Sequence, residues 1–137
     1  MNEKMLIKNL YDLDKTIAKP LLEKLDYPWE ALPKIKDFII ELGKTLDPEI
    51  YEQRGENIWV AKSATVYPSA HLGGPLIICE DAEVRHCAFI RGCAIVGKGA
   101  VVGNSTELKN SILFDGVQVP HLSLIHISEP TRPLYIS

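Results

Sequence analysis

Arg91 and Lys109 stand 18 positions apart in a chain of 137 residues, and Arg85 lies 36 before His121. A guanidinium grips phosphate oxygens with two parallel bonds and an ammonium adds a mobile point charge, so the first pair suits a sugar phosphate. Held close together without an anion, the two cations would repel. A plainer reading of the same residues is a pair of solvated surface cations beside Glu107 or Glu83. Both readings turn on whether positions so far apart in the chain are neighbours in space.

The surrounding pattern makes them so. Counted in sixes from Val60, one phase holds Val60, Val66, Leu72, Ile78, Val84, Ile90, Val96, Val102, Leu108 and Phe114. Two residues earlier the position is small at Ala64, Ala70, Ala82, Ala88, Ala94 and Ala100, while Gly73, Gly97 and Gly103 follow the branched residue. A period of six fits neither an α-helix nor a lone amphipathic strand, so the repeat is itself the structural unit. The expected fold is all-β, a left-handed parallel β-helix of hexapeptide repeats with a short N-terminal helical annex. Three hexads make one coil, the branched residue points inward and the small one turns the corner. The left hand belongs to the known hexapeptide class, not to the spacing. Arg91 and Lys109, three hexads apart, then stack on one wall at about 5 Å, and Arg85 shares another wall with His121. From Ile58 to Phe114 there are a little over three coils, a short prism whose stability needs every neighbour.

Upstream, Leu21, Leu22 and Leu25, then Ile35, Phe38, Ile39 and Leu42, fall at the three-and-four spacing of amphipathic helices. Tyr27 to Glu30 breaks them, since Pro28 disfavours a helical Tyr27, and Trp29 is read as an anchor packing the helices on the first coil. Gly43 is placed to terminate the second helix. The expected organisation is a helical annex over residues 1–55, a repeat domain over 56–121, and a foreign tail over 122–137. A net charge of −3 supplies no field for nucleic acid or an anionic membrane, and no apolar run approaches the roughly 20 residues of a membrane span. The expected location is cytoplasmic. Cys79, Cys87 and Cys93 lack a CxxC spacing and read as small apolar fillers with no metal or disulfide role.

After His121 the six-residue phase is lost. The run LSLIHISEPTR can be encoded by the end sequence of a transposase-based DNA library adapter, and PLYIS fits the index and flanking bases that follow. Residues 122–137 are therefore expected to be translated adapter, the chain a truncated reading of a longer protein, and His126 no site residue.

The stretch RGCAIVGKGAVVGNSTELKNSILFDGVQVPH resembles the acetyltransferase domain of the bifunctional N-acetylglucosamine-1-phosphate uridyltransferase. NLYDLDKTIAKPLLE, YPWEALPKIKDFI, AEVRHCAFIRG and VVGNSTELKNSILF look more closely like stand-alone hexapeptide-repeat proteins labelled UDP-N-acetylglucosamine pyrophosphorylase or sugar-1-phosphate nucleotidyltransferase-like. The resemblance implies that Arg91 and Lys109 hold the phosphate of glucosamine 1-phosphate. It implies that His121 is the general base, drawing a proton from the sugar amine as that amine attacks acetyl-CoA. It also implies a homotrimer with the site between prisms. A Gly-rich phosphate loop is missing, since Gly43 and Gly55 are the only glycines ahead of Glu56, so uridyl transfer is not expected. The tyrosine, asparagine and lysine that complete the family's site, and the coils that bind acetyl-CoA, fall beyond the adapter junction. Two competing expectations are a non-catalytic prism that binds a sugar nucleotide or scaffolds a partner, and a metal site of the hexapeptide carbonic anhydrases built on His71, His86 and His121. His86 matches no family role and reads as a surface residue.

Overall fold

The computed structural model describes residues 13–26, 30 and 33–120, and residues 124–128 by their backbone. Residues 58–119 wind through short parallel strands into a β-solenoid of about three turns. After an opening hairpin strand β1 (Tyr51–Gly55), the chain runs through β2 (Ile58–Ala61), β3 (Thr65–Val66) and β4 (His71–Leu72), one strand on each of three walls. The next coils repeat this order with β5 (Leu76–Ile78), β6 (Glu83–Val84) and β7 (Phe89–Ile90), then β8 (Ala94–Val96) and β9 (Val101–Val102). The long β10 (Glu107–Leu113) bends from wall three onto wall one, and β11 (Gln118–Val119) ends wall two.

The register is the one the spacing predicts as far as Leu108. Ile58 pairs with Leu76 and Leu76 with Ala94, Thr65 with Glu83, His71 with Phe89, and Ile90 with Leu108, each three hexads on. Beyond Lys109 the coil is one position shorter: Val96 pairs with Leu113 and Val102 with Val119. The corner Arg91–Gly92–Cys93 of the coil before is replaced by Lys109–Asn110, with Asn110 at a φ of 51°. Leu113, not Phe114, therefore continues the inward column, and Arg85 is followed down its column by Gly103 and Pro120, not by His121. Backbone bonds state this directly: the Arg85 N–H donates to Val102 O at 3.0 Å and the Gly103 N–H to Val119 O at 2.8 Å.

Corners after the first two walls are closed by hydrogen bonds from an N–H to the carbonyl three positions earlier, as in Ala64 to Ala61, Ala82 to Cys79, Ala88 to Arg85 and Ala100 to Gly97. The expected small residues thus finish each turn. Asp81, Cys87 and Ser105 hold the preceding position with φ of 60°, 56° and 58°, as the third residue of a type II turn requires. Cys87 is accordingly exposed and Cys93, at a φ of 54°, only half-buried; of the three cysteines, Cys79 alone is a buried filler.

Two buried columns share wall one. Val60, Ile78 and Val96, continued by Leu113, are fully buried on one side of it, and Ile77, Ile95 and Ile112 are equally buried between them. Successive strand residues face opposite sides of a sheet, so this wall is covered inside and outside. The outer cover is helix. Lys19–Leu22 forms α1 and Ile35–Gly43 forms α2, which packs on β5 and β8 through buried Ile35 and Ile39. α1 is one turn long, shorter than the spacing of Leu21, Leu22 and Leu25 predicts, with Pro20 in its first turn. α2 ends at Gly43 as expected, but with no left-handed cap; a Cβ there would collide with the Trp59 ring, so glycine is needed for close approach. The region expected to be a helical annex closes with a strand, because β1 pairs antiparallel with β2, Tyr51 opposite Ala61. Trp29 lies outside the described residues. At the other end, Leu124–Ser128 forms a strand, β12, whose backbone pairs in parallel with β10.

Candidate functional site

The corner that leads from wall three to wall one carries Gly73–Gly74–Pro75, then Arg91–Gly92–Cys93, then Lys109–Asn110, on successive coils. Gly92 takes a φ of 115°, and a Cβ on it would stand 2.5 Å from Gly74 O, so only glycine lets these coils stack. The Arg91 N–H donates to Leu108 O at 2.9 Å. Arg91 and Lys109 are thereby neighbours one coil apart, as the spacing predicts.

Their side chains behave differently. The Arg91 guanidinium leans back along wall three, where Nη1 meets Glu107 Oε2 at 3.2 Å and the group lies 5.6 Å from the Phe89 ring centre. Phe89 is 42% exposed and stacks on His71, one coil away, at 4.5 Å and 21°. Both ends of the ion pair are about half exposed, 53% and 43%, so it contributes about 0–1 kcal/mol and yields to a stronger anion. The exposed Lys109 has no ion pair among the described residues. Beside it, partial burial pushes the Cys93 thiol up, while the charges of Lys36 and Lys109 work against that rise.

Arg85 lies apart from this corner. It pairs with Glu83 at 3.0 Å and stands over Tyr67 at 5.8 Å. His86 meets Tyr67 edge-on at 4.3 Å, and its Nδ1 is 3.4 Å from Ser69 Oγ. His121, the expected base, lies outside the described residues, as does the side chain of His126. Among the described residues no three His, Cys, Asp or Glu side chains converge as a metal site would need, and no helix is long and apolar enough to cross a membrane.

The corner can therefore hold an anion on its outer face, with Glu107 as the competing charge. Lys36 and the aromatic step of His71 and Phe89 were not found from the sequence. His71 and Phe89 are themselves three hexads apart, the same signal that found Arg91 and Lys109. Lys36 comes from a helix, and its charge acts on the Cys93 thiol through the docking of that helix, which has no periodic signature. A separate cleft of about 470 Å³ lies near the first coil, lined by Lys44, Tyr51, Gln53, Asn57 and Trp59 among others, and includes neither expected cation. Comparison with protein-family models, with characterised proteins and with solved structures returns no match to this chain.

Proposed function

We propose that the chain is part of a left-handed hexapeptide-type solenoid acting as a cytoplasmic sugar-1-phosphate acetyltransferase of amino-sugar nucleotide metabolism, homotrimeric in its intact form. The observation that carries this reading is the placement of Arg91 and Lys109 on successive coils at one exposed corner. In this reading both cations hold the phosphate of glucosamine 1-phosphate, and the ligand displaces Glu107 from Arg91. The sugar amine attacks the thioester carbonyl of acetyl-CoA while His121 takes the proton its nitrogen sheds; the C–N bond forms, the C–S bond breaks, and the departing coenzyme A thiolate takes that proton from the imidazolium to leave as the thiol. No covalent enzyme intermediate is required.

Calorimetric titration with glucosamine 1-phosphate tests the corner. Each charge-assisted contact supports roughly 1.5–3 kcal/mol, so Arg91→Ala and Lys109→Ala should each weaken binding about tenfold or more, and glucosamine without its phosphate should not bind. In the intact protein, His121→Ala should abolish most acetyl transfer while sparing sugar-phosphate affinity; unchanged turnover removes the base assignment. A non-catalytic binding module is the second reading, favoured by the flat face of His71, Phe89 and Arg91, which suits stacking without turnover. It is separated from the first by ligand binding with no consumption of acetyl-CoA.

A further inference from the structure

The peptide that joins Lys109 to Asn110 in the shortened corner is held at both of its polar ends. Its N–H, on Asn110, donates to Gly92 O at 3.3 Å, a long bond, and its carbonyl, on Lys109, accepts from Ser111 Oγ at 2.9 Å. The peptide before Lys109 is held too, since Leu108 O accepts the Arg91 N–H at 2.9 Å. Lys109 thus sits between two fixed peptides, each of them tied to the Arg91–Gly92 corner of the coil before. Ser111 is the unusual member of this set. Its counterpart one coil earlier is Ala94, and before that Leu76. A fully buried serine in such a column needs a partner for its hydroxyl, and the Lys109 carbonyl is that partner. Asn110 shows what the bond works against. Its φ of 51° lies in the left-handed region, unfavourable for a residue with a side chain, and rotation of the Lys109–Asn110 peptide would relax it.

We propose that Ser111 is a positioning residue of the anion corner: its buried hydroxyl locks the Lys109–Asn110 peptide against the coil that carries Arg91, so that the two cations meet one phosphate at a fixed spacing. The proposal rests on the reading of this corner as a sugar-phosphate site. Without the hydroxyl the peptide is free to rotate, Asn110 leaves the left-handed region, and the Asn110 N–H comes off Gly92 O. The wall itself survives that change. The Ser111 N–H still donates to Cys93 O at 3.0 Å and Leu113 still pairs with Val96, while alanine already fills the same place one coil earlier, as Ala94. What is lost is the fixed relation between Lys109 and Arg91.

Calorimetric titration of the full chain with glucosamine 1-phosphate reads the effect. Ser111→Ala should weaken binding about fivefold, the worth of one ordinary hydrogen bond, and Ser111→Cys, which keeps a weaker donor, should fall between. In a Lys109→Ala background the same change should cost less than about twofold, because a residue that acts through Lys109 has nothing left to position. Thr106→Ala is the matched control. Thr106 is also fully buried and its Oγ1 donates to Pro120 O at 2.8 Å, so the variant loses a comparable bond and should keep its affinity. A second readout needs no ligand: amide hydrogen exchange at Asn110 should quicken severalfold in Ser111→Ala and not in Thr106→Ala. The positioning role is overturned if Ser111→Ala binds as the unaltered chain does, if it loses the same factor with and without Lys109, or if Thr106→Ala loses as much. In each of those cases the corner reading survives as long as Lys109→Ala weakens binding. Unchanged exchange at Asn110 overturns the lock whatever the affinities are. If the unaltered chain binds no monoester, or Lys109→Ala binds it as well, both fall.

Discussion

Replacing Ile95 by alanine asks whether the outer face of wall one is a true core. Ile95 is fully buried, paired between Ile77 and Ile112, and lies on the strand that α2 packs against. Truncation removes buried methyl and methylene groups and leaves a cavity between two rigid layers, with an expected cost of about 2–5 kcal/mol. At this chain length about 4 °C of Tm accompanies each kcal/mol, so a fall of about 8–20 °C is expected. Urea unfolding followed by circular dichroism gives the free energy, and native-state hydrogen exchange gives its location, since protection should be lost first in Ile35–Gly43. Ile50→Ala is the control, because Ile50 is 39% exposed and its truncation should cost under about 0.5 kcal/mol. If Ile95→Ala costs no more than Ile50→Ala, the helix does not cover this wall.

Gly92→Ala combines a φ of 115° with a Cβ 2.5 Å from a backbone oxygen, and should cost about 3 kcal/mol or more; a urea midpoint close to that of the unaltered chain would contradict the stacking at this corner. Glu107→Gln removes the carboxylate that competes for Arg91, so glucosamine 1-phosphate should bind severalfold tighter by calorimetry, with stability changed by less than about 1 kcal/mol; weaker binding would show that Glu107 contacts the ligand instead. Burial pushes the Cys79 thiol from 9.0 up to about 12, and burial likewise raises Tyr51, its hydrogen-bond partner. Both groups hold their protons in the fold at pH values where the unfolded chain has lost them, so stability should be level below about pH 9 and fall between about pH 9 and 12. Tyr51→Phe should flatten that fall in urea titrations across the range, and an unchanged slope would refute it.

The three-hexad coil, the stacking of Arg91 over Lys109 and the helix through Ile35 and Ile39 were all legible in the sequence, because each is a periodicity of residue type. The lost position between Lys109 and Asn110 was not. An exposed corner can shorten while the columns on either side stay buried, and Asn110 absorbs the change in a left-handed conformation that leaves no apolar signature. The cost was the alignment of Arg85 with His121. The second column, Ile77, Ile95 and Ile112, was visible in principle: Leu76–Ile78, Ala94–Val96 and Ile112–Leu113 are apolar at consecutive positions, whereas β6, β7, β9 and β11 each pair one buried residue with one more exposed. Counting a single phase hid it. Gly43 was placed correctly for the wrong reason, since its need is space beside Trp59, which only the packed helix creates.

A stack of coils is by itself a one-dimensional array, in which each turn exchanges energy only with the turns above and below and the ends can peel without disturbing the middle. α2 changes that arithmetic. One rigid rod set against Trp59 and packed on β8 links coils that otherwise never touch, so the first turn cannot peel away without releasing the rod from the third. The molecule should therefore resist pulling at its first coil and then give way in one step, behaving mechanically as a splinted column and not as a string of separable rungs.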